Sequence, residues 1–240
     1  MAILDEILDS LPEEDAEVRD LRICLRATAV WTRRLGLAYT FPRVHHGQIE
    51  GQERPRRLSE MSAKELARLA VSEDRVDAAV GLAAINSLLD PAPEELQAGN
   101  ALELILRHGG GKNVTVVGHF PFVDRLREKV EKLWVLELYP QADDLPSGKA
   151  PQVIPESDVV AITATALINH TLEGLLELGR DKLVIVLGPT TPMTPVLFDH
   201  GVDYVCGSVV EDPEAALLCV SEGVSFRYTE GLKPVILGRP

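Results

Sequence analysis

From about Asn100 onward the hydrophobic positions fall in short unbroken runs: "NVTVV" at Asn113–Val117, "LWVLEL" at Leu133–Leu138, "DVVAI" at Asp158–Ile162, "KLVIVL" at Lys182–Leu187 and "YVC" at Tyr204–Cys206. Runs that are apolar at nearly every position, rather than at alternate ones, fit strands covered by helices on both faces. Helical spacing fills the gaps, near Val123–Glu131, Ala166–Leu178, Pro192–His200 and Pro213–Ser221. Strand, loop and helix in repetition predict an α/β, Rossmann-like parallel sheet. The Pro-, Asp- and Gly-rich stretch from Tyr139 to Ser157 interrupts that rhythm and is expected to be a surface excursion or a lid.

The first hundred residues follow a different pattern. "MAILDEILDSLPEED" is an amphipathic acidic helix, and "DLRICLRATAVWTRRLGLAYTF" has the β-branched and aromatic content of strands joined by a turn at "RRLG". Ser62 with Glu65 three positions on makes a capping-box signature. An Ala-rich helix, "RVDAAVGLAAINSLLD", then stops at Asp90-Pro91. Strands followed by helices make an α+β unit, so the expected division is a smaller α+β domain over 1–99 and a Rossmann-like domain over 100–240. The small residues of the Ala-rich helix permit close packing, either inside the chain or in a homo-oligomer.

Charge narrows the partners. Across 240 residues there are 37 acidic and 24 basic side chains, a formal net charge of -13. Such a balance repels nucleic acid and anionic membranes, and the one concentrated basic stretch, "RPRRL" at Arg54–Leu58, is too short to be a nucleic-acid module. No apolar run approaches the roughly 18 residues needed to span a bilayer, and the expectation is a cytoplasmic protein. Cys24, Cys206 and Cys219 are scattered in apolar surroundings, with neither a disulfide framework nor metal-ligand spacing.

Four strand ends carry loops of one character: "VGHFPFV", "ITATALINHT", "LGPTTPMTP" and "CGSVVEDP". In a parallel sheet these emerge on one edge and can wall a single pocket. Thr191 as N-cap and Pro192 as first helical residue predict a helix N-terminus aimed at that pocket. Pro189, Pro192 and Pro195 each remove a backbone donor, which makes a nucleotide phosphate a poor fit. "GGGKN" precedes a strand instead of following one, and "GHFPF" stands where a dinucleotide fold needs GxGxxG. His119, beside Phe120 and Phe122, can serve as base, donor or metal ligand, or simply as a structural hydrogen-bonder. Asn169, in a helical run it does not favour, either points into the pocket or caps a helix. With no GxSxG, HExxH or Cys-pair motif, the residues by themselves point to a ligand-binding cleft.

"GLAAIN", "VGHFPFV", "DVVAITATALINHTLEGLLE" and "GPTTPMTPVLFDHGVDYVCGSVVEDPE" together resemble the putative heavy-metal chelation domain family over nearly the whole chain. The resemblance implies a lead domain similar to the N-terminal domain of enolase, a Rossmann-like domain after it, and a site in the cleft between them. Carried across, the ligand-binding positions are Asn86; Gly118, His119, Phe120 and Pro121; Thr163, Thr165 and Asn169; Gly188, Pro189, Thr190, Thr191 and Pro192; and Gly207. The implied ligand is a small polar molecule, a heavy-metal ion or a metal chelate, with Cys206 a conceivable thiol ligand. Soft metals prefer thiolates, and a metal carried inside an organic chelator suits the Thr, Asn and His loops better than a bare ion does. The alternative is an enzyme acting on a small metabolite with His119 as general acid or base.

Overall fold

The computed structural model describes residues 2–41, 44–45, 48–49, 56–141 and 143–239. Helix α1 (Ile3–Asp9) buries Ile3, Leu4 and Ile7, one stripe of its surface. Strands β1 (Asp20–Ile23), β2 (Ala27–Trp31) and β3 (Leu35–Tyr39) form an antiparallel sheet in that order, followed by the short ladder of β4 (Val44–His45) with β5 (Gln48–Ile49). Ser62 caps α2 (Ala63–Ala67) through the full capping box: its hydroxyl accepts from the Glu65 amide, and the Glu65 carboxylate accepts from the Ser62 amide at 2.8 Å. Asp74 caps α3 (Arg75–Leu88) by accepting from the amides of Val76 and Asp77.

Only Arg75, Asp77 and Asn86 of α3 escape full burial. A Cβ on Gly36 of β3 would lie 2.0 Å from the Ala83 carbonyl oxygen, and one on Gly81 of α3 would lie 2.0 Å from the Ala70 nitrogen. Backbone therefore touches backbone on two sides of the helix, and the small residues serve packing within the chain.

The second sheet has eight strands: β6 (Leu96–Ala98), β7 (Asn113–Val117), β8 (Lys132–Glu137), β9 (Leu145–Pro146), β10 (Val159–Thr163), β11 (Leu183–Leu187), β12 (Tyr204–Val210) and β13 (Leu232–Gly238). Their spatial order is β6-β13-β12-β11-β10-β7-β8-β9. The neighbours from β12 to β9 are parallel, while β13 runs antiparallel to both β12 and β6. The helices between them are α4 (Ala101–Gly109), α5 (Val123–Arg127), α6 (Ala150–Val153), α7 (Thr165–Ile168), α8 (Leu172–Leu178), α9 (Val196–Asp199) and α10 (Pro213–Ser221). This is the α/β class the sequence predicts, a Rossmann-like sheet preceded by a smaller α+β unit.

Alternation along β10 sorts the two faces. Val160 and Ile162 join a core that includes Ile7, Val30, Leu82 and Ile85 of the lead unit, whereas Val159 and Ala161 pack with Ile105 of α4 and Leu126 of α5. Each such fully buried Val, Leu or Ile side chain contributes about 1.5–3 kcal/mol. Among the described residues no helix is long and apolar enough to cross a membrane.

Three local expectations change. The helix predicted over Ala166–Leu178 is two helices, because His170 adopts a left-handed φ of 56° and the Asn169 side chain accepts from the Thr171 amide and hydroxyl. The helix predicted from Pro192 begins only at Val196. Thr191 and Thr194 each precede a proline, a position that disfavours the α conformation, so 191–194 is buried irregular chain, with the Thr194 amide donating back to the Pro192 carbonyl at 3.0 Å. The Tyr139–Ser157 excursion supplies β9, the edge strand beside β8, and α6.

Candidate functional site

The chain leaves β7 for β8 and β9, then returns to the other side of β7 as β10 and continues to β11 and β12. The loops after β7 and β10 consequently diverge, opening a crevice at the topological switch point. Two glycines shape its floor: Gly118 ends β7 with φ 102° and Gly188 ends β11 with φ 116°, conformations that side chains resist. A Cβ on Gly118 would also lie 3.1 Å from Thr163 on β10 and 3.3 Å from the Phe120 ring. Phe120 stacks on Phe122 with centroids 5.1 Å apart and planes 8° from parallel.

A cavity of about 1500 Å³ occupies this edge of the sheet. His119, Thr163, Thr165 and Asn169 line it on polar ground, and Tyr39, Phe41, Phe120, Phe122, Tyr139 and Tyr228 give it aromatic walls. Tyr139 and Tyr228 are 75% and 65% exposed, far more than aromatic side chains usually are. Arg125 and Arg227 add two guanidinium groups; among the described residues neither is paired with a carboxylate.

His119 is held from two sides. Its backbone amide donates to Glu137 Oε1 at 2.7 Å, and its Nδ1 lies 3.0 and 2.9 Å from the two oxygens of Asp144. The Asp144 side chain is 2% exposed, the His119 side chain 37%. The Gln141 amide donates to Asp144 Oδ2 at 3.1 Å, fixing the carboxylate in turn. A carboxylate only accepts, so Nδ1 carries the hydrogen; in the neutral ring Nε2 is then the acceptor, and it has no protein partner among the described residues. Asp144 and Glu137 escaped the sequence reading. The signal available was the adjacent pair Asp143-Asp144 inside a Pro- and Gly-rich stretch whose only other charged residues are Lys149 and Glu156.

The remaining predicted positions divide. Gly118, Phe120, Pro121, Gly188, Pro189, Thr190 and Gly207 line the large cavity together with His119, Thr163, Thr165 and Asn169. The Thr163 and Thr165 hydroxyls are 3.0 Å apart and hydrogen-bond each other. Asn169 spends its oxygen on the Thr171 amide and hydroxyl, a local turn between α7 and α8. Thr190, buried, accepts from the Tyr39 amide at 2.9 Å, and its carbonyl accepts from Asn86 Nδ2 at 3.0 Å. Asn86 also donates to the Leu37 carbonyl at 2.9 Å, so its amide tethers β3 to the loop after β11.

Asn86 and Thr191 line a small adjoining cavity of about 50 Å³ that shares Pro189 and Ser208 with the large one, and Pro192 is buried and lines neither. The sequence placed all three on the ligand cleft; Thr191 and Pro192 instead belong to the buried, proline-restricted course of 191–194, and Asn86 on α3 is engaged by the Leu37 and Thr190 carbonyls. Thr191 caps no helix, and its buried hydroxyl has no protein partner among the described residues. Gly207 lies inside β12, not in a loop, because pairing with β13 carries that strand on to Val210. Its lack of a side chain admits Met193, whose sulfur would be 2.5 Å from a Cβ there.

Metal-ligand chemistry is sparse. Cys206 lines the cavity, yet burial pushes its thiol up to about 12, which keeps it protonated and a poor ligand. Among the described residues no three His, Cys, Asp or Glu side chains gather to hold a metal ion.

Comparison with known proteins places the chain among relatives. A family profile described as "Putative heavy-metal chelation", DUF4213, matches residues 4–89, and a second with the same description, DUF364, matches residues 100–233. An uncharacterized protein of Methanocaldococcus jannaschii is 29% identical over 238 residues, spanning 90% of this chain and 91% of that one. A crystal structure of a DUF364-family protein with unknown function from Desulfitobacterium hafniense matches with TM-score 0.85 and 27% identity, covering 99% of this chain and 98% of that chain. One from Pyrococcus horikoshii, at 23% identity and TM-score 0.81 over 99% and 98% of the two chains, shares the fold. With its second profile spanning more than half of the sequence, the protein belongs to the DUF364 family, described as "Putative heavy-metal chelation".

Proposed function

We propose that the protein binds a metal chelate, or the organic chelator that carries the metal, in the cleft where Tyr39 and Phe41 of the lead unit meet the edge of the large sheet. We take residues 1–99 and 100–240 as the two units whose junction forms that cleft. The observation that carries this reading is the make-up of the cavity. It combines about 1500 Å³ of space and aromatic walls with, among the described residues, two arginines that have no carboxylate partner and no three-residue metal cluster. Aromatic faces suit a flat or apolar organic body, and guanidinium groups suit its carboxylate or sulfonate substituents. A bare soft metal ion would find too few ligands there.

Calorimetry with nickel(II), with 8-hydroxyquinoline-5-sulfonate and with their complex tests the idea. The expected result is micromolar binding of the chelator and the complex, with nickel alone weaker than millimolar. Replacing Arg125 or Arg227 by Ala weakens the complex about tenfold, the loss of one charge-assisted contact of about 1.4 kcal/mol. Tight binding of nickel alone, with no affinity for chelator or complex, overturns the reading. A second reading, an enzyme using His119 as general acid or base, draws on the His119–Asp144 contact.

A further inference from the structure

The cavity holds one group whose geometry exceeds what binding requires. A hydrogen-bond donor for a ligand could come from any exposed side chain, but His119 presents an acceptor nitrogen, fixed in tautomer by a carboxylate that is 2% exposed and is itself oriented by the Gln141 amide. A chelator's acidic hydroxyl must lose its proton before the oxygen can coordinate a metal. We propose that His119 Nε2 is the base that removes this proton, making the protein an agent of metal loading into a hydroxyl-bearing chelator and, in reverse, of metal release from it. The proposal rests on the chelate reading above.

In the forward step the chelator's O–H bond breaks and an N–H bond forms at Nε2. The electron pair stays on the oxygen, which becomes the donor to the incoming metal ion, the substrate of the exchange. The ring, now an imidazolium, sits against the Asp144 carboxylate and returns its proton to water, so the net change is chelator plus metal ion giving chelate plus a proton. Asp144 is a positioning residue: it fixes Nδ1–H and so keeps Nε2 an acceptor. Other charged or titratable groups on the same wall do not substitute for it. Both Glu137 oxygens accept backbone amides, from His119 and Leu138; Arg125 and Tyr139 lie near the loop, and Glu103, Arg227, Cys206, Tyr39 and Tyr228 are the other charged or titratable groups that line the cavity.

The test is spectrophotometric and needs no turnover. 8-Hydroxyquinoline-5-sulfonate changes its absorbance when its hydroxyl ionises, so the titration midpoint of the bound probe is read directly. Bound to the unaltered protein, the midpoint falls by one pH unit or more from that of the free probe. In His119→Gln the shift disappears while the probe still binds, weakened by less than about tenfold, a loss under about 1.4 kcal/mol. Asp144→Asn also loses the shift although the imidazole remains, because the amide can donate to Nδ1 and so turn Nε2 into a donor. A bound probe that titrates like the free one in the unaltered protein, or a shift that survives His119→Gln, overturns the proton-transfer step and leaves the binding reading standing. Failure of the unaltered protein to bind the probe at millimolar concentration overturns the chelate reading and this inference with it.

Discussion

Cys206 shows how a side chain conceivable as a metal ligand can be inert in place. Its thiol is 4% exposed, and burial raises it from an ordinary value of 9.0 to about 12. Iodoacetamide at pH 8 is therefore expected to leave Cys206 unmodified in the folded protein, while denaturant exposes all three cysteines to labelling; peptide mass spectrometry reads the difference. The linkage has a definite sign. Above about pH 9 the unfolded chain loses this proton while the folded chain retains it, so stability falls as pH rises toward 12. Cys206→Ser removes that contribution, up to about 1.4 kcal/mol per pH unit, from the alkaline limb of a denaturation profile. Asp144 is the opposite case. In sequence it belongs to a stretch typical of solvated loops, and its importance comes from meeting a histidine in another loop, which no local periodicity encodes.

At the level of elements, what could be read from sequence depended on how local the cause was. The capping box at Ser62, the stop of α3 before Pro91 and the runs of the central strands each follow from neighbours in the chain, and all were legible. Strand β13 was not read; it carries Pro234, a residue that rarely sits in a paired strand. The register explains its tolerance: β6 pairs only with Val235, Ile236 and Leu237, so Pro234 lies beyond its reach and faces β12 alone. The loops after β7, β10 and β11 were drawn to one edge by the parallel pattern, whereas the fourth, CGSVVEDP, is strand as far as Val210, and the cap assigned to Thr191 failed because two prolines outweigh a favourable capping residue. The two sites predict opposite responses in urea denaturation. Ser62→Ala costs about 0.5–2 kcal/mol, the usual loss of an N-cap. Thr191→Val, which removes a buried hydroxyl without a protein partner among the described residues, changes stability by less than about 0.5 kcal/mol or raises it.

For the whole molecule, the tie between the two halves matters as much as either half. The Ile3 amide donates to Glu173, His170 bonds the Ser72 carbonyl, Glu6 meets His200 and Thr190 receives the Tyr39 amide. One hydrophobic core runs from α1 and α3 across to β10, β11 and β12. Thermal unfolding is expected to be one cooperative transition, followed identically by calorimetry and circular dichroism, and residues 2–99 expressed alone are expected to lack fixed tertiary structure by NMR. Two separated transitions, or a well-dispersed spectrum from the fragment, would show that the halves are energetically independent.

The edge strand β6 has a further consequence for biosynthesis. Its partner in the sheet is β13, with Leu96 opposite Leu237, so when β6 leaves the ribosome the strand it needs has not been translated. At typical elongation rates the delay is on the order of ten seconds. For that interval the nascent chain displays an unclaimed hydrogen-bonding edge to its neighbours on the polysome. Glu94 and Glu95 immediately before it place like charges at the position where two such edges on adjacent nascent chains would otherwise pair.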